Sequence, residues 1–223
     1  MTTRLRESFL PIANFLALIL FSAMAFACEP PAVIKEADPA DVRAFFRSTQ
    51  MEVLTFLGYS GAEYENKAKM LEEATRILEQ LDPKKTIVNI GATAVGIGAV
   101  YEVAKRKGFR TSGLVSILAR QEKVPLSPCV DAVFYIRDKS WGGFLPGTRT
   151  LSPTSAALVE NSDVVIAIGG GDVARDEFIA AKQAGKRVRF IPADMNHTIA
   201  REKARKRRQP EPTDFRGAAG SVF

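Results

Sequence analysis

Histidine, tryptophan and cysteine are scarce in this chain: one His, one Trp and two Cys among 223 residues. A lone His197 without a His/Cys cluster excludes the usual transition-metal centres, which need several convergent nitrogen or sulfur ligands. No metal and no cofactor is therefore expected. Cys28 and Cys129 show neither metal-ligand spacing nor a dense disulfide framework. Disorder is excluded as well, because 46% of the residues are hydrophobic, enough for one compact domain with a full core. Acidic residues are nearly missing from one segment, Arg201–Arg208 (REKARKRR), with six basic residues and one acid. The net charge of +6 comes largely from it, and the rest is nearly neutral. A solvated basic tail over 198–223 is the plain reading. Attachment to an anionic membrane surface is the alternative, and nucleic acid is the less favoured partner.

The start of the chain has the form of an export signal. Arg4 and Arg6 precede Phe9–Phe26, which is apolar apart from Pro11, Asn14 and Ser22. Ala25-Phe26-Ala27 has the small-x-small form of a cleavage site, and Cys28 follows. Residues 1–27 are thus expected to be a signal peptide. Cys28 is the expected lipidation site of a bacterial lipoprotein, although Ala25 stands where Leu is usual and Phe26 is bulky. The expected location is periplasmic or membrane-anchored. Pairing of Cys28 with Cys129 in an oxidising compartment requires that Cys28 carry no lipid. Two alternatives remain: an uncleaved membrane anchor, since the apolar run nearly reaches a spanning length, and a cytoplasmic chain starting at Met51.

Beyond a proline-bearing linker and a short helix (28–50), strands alternate with helices. The expected strands are Met51–Leu57, Thr86–Ile90, Thr111–Leu118, Val130–Ile136, Asp163–Ile168 and Arg187–Ile191. Short runs rich in Val and Ile, bounded by Gly or Pro, read as buried strands. Ala62–Leu81 has helical apolar spacing, with shorter helices over Ala99–Lys107, Pro153–Glu160 and Val173–Ala184. Such alternation predicts an α/β fold, a three-layer Rossmann-like parallel sheet with helices on both faces, over 51–197.

Three glycine turns follow three of these strands: Gly58-Tyr59-Ser60-Gly61, Gly91–Gly98 and Gly169-Gly170-Gly171. In a parallel sheet all three fall on one edge and together can line a crevice. Strand, glycine turn and helix bring backbone N–H groups and a helix N-terminus toward an anion. Asp172 is placed to cap the helix after the third turn. The plainer reading of Gly58, Gly91 and Gly96 is close helix–strand packing.

At these residues the chain resembles the SLOG superfamily of Rossmann-like proteins, and within it the Lonely Guy nucleoside-monophosphate phosphoribohydrolases, formerly labelled lysine decarboxylases. The resemblance runs from about Val53 to Ala193. Gly58, Ser60 and Gly61 match the family's Gly-Ser-Ser-x-Gly. Gly91 and Gly96 match its second turn, where Ala92, Thr93, Gly98 and Ala99 depart from the pattern. The signature Pro-Gly-Gly-x-Gly-Thr-x-x-Glu falls on Gly169–Glu177, where Gly170, Gly171 and Glu177 agree. Val173 and Ala174 replace the Gly-Thr that cradles phosphate, and Asp172 adds a charge that opposes it. Thr154-Ser155 occupy the place of the family's Arg-Lys pair.

The resemblance implies a nucleotide-derived, ribose-containing ligand held by Gly58, Ser60, Gly61, Gly91, Gly96, Gly169, Gly170, Gly171 and Asp172. Glu177 is the expected catalytic carboxylate, working with an Arg that is missing here. Arg175 and Arg137 are the candidate substitutes. The expectation is an exported binding domain with a degenerate catalytic motif. The alternative is an active, divergent nucleotide N-glycosidase using Glu177, and a homodimer is left open. Glu177 also reads as a carboxylate favoured by the helix dipole. Trp141 reads as an anchor for its glycine-rich loop or as a stacking platform for a base. His197 reads as a turn residue.

Overall fold

A computed structural model describes residues 28–222. Seven strands form one sheet in the order β1-β5-β4-β3-β2-β6-β7, and every neighbouring pair is parallel. The strands are β1 (Val33–Ala37), β2 (Glu52–Gly58), β3 (Thr86–Ile90), β4 (Arg110–Ser116), β5 (Ala132–Ile136), β6 (Val164–Ile168) and β7 (Arg187–Ile191). The helices are α1 (Pro39–Thr49), α2 (Lys67–Leu78), α3 (Val100–Arg106), α4 (Leu118–Gln121), α5 (Pro153–Glu160), α6 (Asp172–Gln183), α7 (His197–Lys206) and α8 (Gly217–Gly220).

Helices cover both faces, which is why β3 and β5 are buried along their whole length; β5 reads as an unbroken apolar run, and β3 is apolar apart from Thr86 and Asn89. On one face α2 and α3 pack Met70, Ala74, Leu78, Val100, Tyr101 and Ala104 against the sheet. On the other, α1, α5 and α6 contribute Val42, Phe46, Ala157, Leu158, Ala174, Phe178 and Ala181. This is the expected three-layer Rossmann-like architecture. Among the described residues no helix is long and apolar enough to cross a membrane.

Two ends of the chain differ from expectation. The linker contains β1, a mostly exposed strand that pairs in parallel with β5. Its weak pattern belongs to an edge strand, whose partner lies about a hundred residues away in sequence. The basic tail is also part of the fold. α7 buries Ala200 and Ala204, and the chain then turns back so that α8 buries Ala219. The long helix expected from Ala62 starts only at Lys67. Tyr64 is drawn into the core, and the side chain of Asn66 caps the helix by accepting from Lys69 N–H at 2.9 Å.

The expected signal peptide lies outside the described residues. Cys28 is within them, and it is joined to Cys129 by a disulfide with a Cα separation of 4.9 Å. A disulfide and a lipid thioether on Cys28 exclude one another, because one sulfur cannot hold both. The bond ties the segment before β1 to the approach to β5, the strand that β1 pairs with.

Candidate functional site

The chain runs from β2 through β3, β4 and β5 on one side, while β6 and β7 lie on the other. The order therefore reverses between β2 and β6, and ligands in open α/β sheets bind outside the carboxyl ends of strands at such a point. The three glycine turns meet there. β2 is flanked by β3 and β6, so Gly58–Gly61, Gly91–Gly98 and Gly169–Gly171 share one edge.

Backbone contacts hold the turns together. The Tyr64 hydroxyl donates to Ile168 C=O at 2.7 Å and accepts from Tyr59 N–H at 3.2 Å. It fills the space beside Gly58, where any Cβ would run into it. Gly96, at φ +62°, packs on the Tyr59 and Ser60 carbonyls, and Ile97 N–H donates to Tyr59 C=O at 2.7 Å. Ser60 and Thr93 hydroxyls meet at 3.1 Å. Gly169 and Gly170 have φ of +57° and +137°, and Gly169 N–H donates to Ile191 C=O at 2.8 Å. A Cβ on Gly91 or Gly171 meets nothing within 4 Å.

Free N–H groups at all three turns were expected. At each turn one such group already serves the fold: the N–H groups of Tyr59, Ile97 and Gly169 are bonded within it. At the third turn, Arg175 N–H is the first to bond within α6, to Gly171 C=O at 3.0 Å. The N–H groups ahead of it are those the helix's own ladder leaves over. Gly171 is the N-cap, and no side chain caps it. Asp172 is instead the first helical residue, and its exposed carboxylate pairs with Arg175 at 2.9 Å. It stays at the mouth of the turn, where it opposes an anion.

Glu177 stands apart from these turns. It is 6% exposed and accepts from Ser155 Oγ at 2.6 Å. Ser155 Oγ in turn accepts from Gly143 N–H at 2.7 Å. The position that carries a basic residue in the resembled family thus does face Glu177, but with a hydroxyl. Burial pushes the Glu177 carboxyl up to about 7, the Ser155 hydrogen bond pulls it down, and the nearby Asp176 charge raises it again. Neither candidate arginine pairs with it. Arg175 is held by Asp172 and by Asp176 at 2.8 Å, and Arg137 reaches Glu36 on the rim.

The loop between β5 and α5 covers Glu177. Gly142 and Gly143 have φ of +118° and +82° and lie against Val173, Asp176 and Glu177. Two more carboxylates latch this loop. Asp176 accepts from Phe144 N–H at 2.8 Å. Asp138 accepts from Thr154 N–H at 2.9 Å and from Ser140 N–H at 2.8 Å. Burial of Asp138 raises its pKa, but these bonds outweigh it and hold the carboxyl below its ordinary value. Trp141 is 44% exposed, so carboxylates rather than the indole anchor the loop. His197 opens α7 and stacks on Phe215 with ring centroids 3.9 Å apart.

Two cavities lie nearby. One of about 180 Å³ is lined by Glu36–Pro39, Asp41, Ile136, Arg137 and Pro153. Another of about 300 Å³ lies between Phe144, Thr148 and Arg149 of the loop and Arg175, Asp176 and Ile179 of α6. Neither is lined by the glycine turns or by Glu177. Sequence reasoning missed Ser155, Asp138 and Asp176 as a latch, and Tyr59 and Tyr64 as the packing between turns. The Ser152-Pro153 helix start signalled that α5 begins near the loop, but nothing local signalled the pairing with α6.

No family model matches the chain, and no curated protein does. Solved structures are similar in part. The Moco carrier protein from Chlamydomonas reinhardtii is 19% identical, with TM-score 0.45, over 63% of this chain and 76% of that one. The molybdenum cofactor binding protein from the phototrophic bacterium Rippkaea orientalis is 20% identical, with TM-score 0.45, over the same shares. DNA processing protein A from Streptococcus pneumoniae is 16% identical, with TM-score 0.44, over 72% of this chain and 57% of that one. Similarities at this level carry no argument about function, and the fold rests on the strand order and register given above.

Proposed function

We propose that this protein is an exported domain that binds a ribose-containing, nucleotide-derived ligand at the β2/β6 edge and turns it over poorly. The observation that carries this reading is the convergence of Gly58–Gly61, Gly91–Gly98 and Gly169–Gly171 at the point where the strand order reverses. The N–H groups at the start of α6 are the donors for a polar ligand. Glu177 is the acceptor for adjacent hydroxyls once Gly142-Gly143 move aside. Asp172 disfavours a phosphate, and Thr154 and Ser155 supply no charge where the resembled enzymes carry an Arg-Lys pair whose Arg works with the Glu.

Export is supported by the Arg-flanked apolar run before Cys28 and by the Cys28–Cys129 bond, since disulfides persist in oxidising compartments. A start at Met51 would remove β1 and α1, and with them the buried Val42 and Phe46. The bonded sulfur favours a mature protein without lipid on Cys28. Mass spectrometry of the native protein tests this, with a start at Cys28 and an intact disulfide as the expected result.

A second reading is favoured by one observation. A carboxyl raised to about 7 is suited to deliver a proton near neutral pH, so Glu177 can serve as general acid in a divergent N-glycosidase. Calorimetry with adenosine, AMP and ADP-ribose, alongside a base-release assay, separates the two readings. Adenosine bound at least as tightly as AMP, without release of base, is the expected outcome. AMP cleaved at an ordinary enzymatic rate would establish the enzyme instead.

A further inference from the structure

The crevice at the β2/β6 edge already has an occupant, and it belongs to this chain. Phe215–Val222, which includes α8, lies across the first and third glycine turns. Ala219 N–H donates to Gly170 C=O at 3.0 Å, and the Ala219 methyl is fully buried. Met195 N–H donates to Phe215 C=O at 2.8 Å. The Tyr59 hydroxyl donates to Arg216 C=O at 2.6 Å, with Ala193 C=O at 3.0 Å beside it. Gly217 sits over this junction at φ +68°, where a Cβ would come to 2.5 Å from Gly170 O and 2.7 Å from the Tyr59 hydroxyl oxygen. Only glycine fits there.

We propose that Phe215–Val222 is a displaceable strap that closes the ligand crevice and opens to admit the ligand; this rests on the reading of that crevice as the ligand site. Three features make it displaceable. Ala219 is the strap's single buried residue. The segment leading to it, Gln209–Asp214, is exposed apart from a half-buried Pro212, and it carries two prolines that keep it out of regular structure. The strap is held mainly through backbone groups, which a ligand with hydroxyls and carbonyls can replace one for one. Lifting it would free Gly170 C=O as an acceptor and remove the Arg216 partner of the Tyr59 hydroxyl, which retains Ala193 C=O at 3.0 Å. A strap fixed by sequence would bury large side chains; here the buried side chain is a methyl group, and the one large ring, Phe215, is only half-buried where it stacks on His197 beneath Arg201.

The test compares the full chain with Gly217→Val and with a chain stopped after Thr213. A β-branched residue at φ +68° cannot dock without strain, so the valine variant releases the strap while leaving the sheet untouched. Adenosine and ADP-ribose are titrated by calorimetry, and amide hydrogen exchange is followed in the full chain. The expected results are two. Ala219 N–H exchanges at least about 100-fold faster than the β6 amides, and both altered chains bind at least about tenfold more tightly than the full chain. Exchange as slow as β6 would make the strap a fixed layer of the fold and end the proposal. Binding that is unchanged or weaker in both altered chains would end it too. If no version binds either compound, the ribose reading fails, and the exchange rates still decide whether the strap opens.

Discussion

Two regions at the same edge of the sheet are built on opposite principles. The β2/β6 crevice is made of backbone. Its contacts are carbonyls, N–H groups and the hydroxyls of Tyr59, Tyr64, Ser60 and Thr93, and its shape depends on the absence of side chains at Gly58, Gly96 and Gly217. The Glu177 region is made of side chains. Asp138, Ser155, Asp176 and Glu177 hold a loop, and its shape depends on their protonation and hydrogen bonds. The comparison teaches that glycine is used here for close approach, whereas carboxylates are used for tension between burial and charge. The first region should fail sterically and independently of pH, and the second chemically and with pH.

The largest expected effect is at Gly96. An alanine there combines positive φ with a collision against the Tyr59 and Ser60 carbonyls, which are backbone and cannot swing away. Gly58→Ala collides with the Tyr64 hydroxyl and breaks its bond to Ile168. Each should cost about 3 kcal/mol or more in urea unfolding, by overpacking and loss of a buried hydrogen bond. Gly91→Ala, in open space, should stay within about 0.5 kcal/mol. If Gly91→Ala costs as much as Gly58→Ala, the backbone account of the crevice is wrong.

Next comes the pH response of Glu177. Its folded pKa, about 7, is raised above the ordinary value of 4.5, so the folded state binds the proton more tightly. Its contribution to stability is complete below the ordinary value and is lost as pH rises toward 7. Glu177→Gln keeps an acceptor for Ser155 and removes the buried charge. It should match wild type near pH 4 and exceed it at pH 8 by up to about 3 kcal/mol. Thermal unfolding at the two pH values checks this, and an equal gain at both would show that the carboxyl does not titrate in the fold.

Ser155→Ala should cost about 1–3 kcal/mol at neutral pH, because Gly143 N–H and Glu177 both lose a buried partner. It should also raise the Glu177 pKa further, since the hydroxyl favours the charged form. A nuclear magnetic resonance titration of the Glu177 carboxyl reads that shift, and a downward shift would contradict the arrangement.

The smallest effect on stability is expected at Asp172, which is exposed and paired only with Arg175 on the surface. Asp172→Asn should leave unfolding within about 0.5 kcal/mol. It should improve AMP binding relative to adenosine several-fold, because a like charge leaves the helix N-terminus and Arg175 is partly released. Improvement of both ligands alike would show that Asp172 does not face a phosphate.

The body of the fold was legible in the sequence because it is repetitive. β3 and β7 have the bounds expected for them, and α5 does as well, since a short run of apolar strand formers or a Pro-started helix is specified by its own residues. The turns were legible as turns for the same reason. Their contents were less so. Tyr59 and Tyr64 look like ordinary members of a loop and a helix start, and nothing local says that one hydroxyl would plug the space beside Gly58.

By itself, then, the sequence determined the alternation of strands and helices, the parallel sheet and the placing of three glycine turns on one edge. These follow from short-range periodicity and from chain connectivity, which are written locally. Tertiary structure alone decided three other things. It joined β1 to the edge beside β5, with Cys28 committed to Cys129. It set Ser155 against Glu177 beneath a glycine loop. It folded Phe215–Val222 back over the crevice that the turns create. Each of these is a contact between segments far apart in sequence, and its free energy depends on burial and on partners that exist only once the sheet has formed.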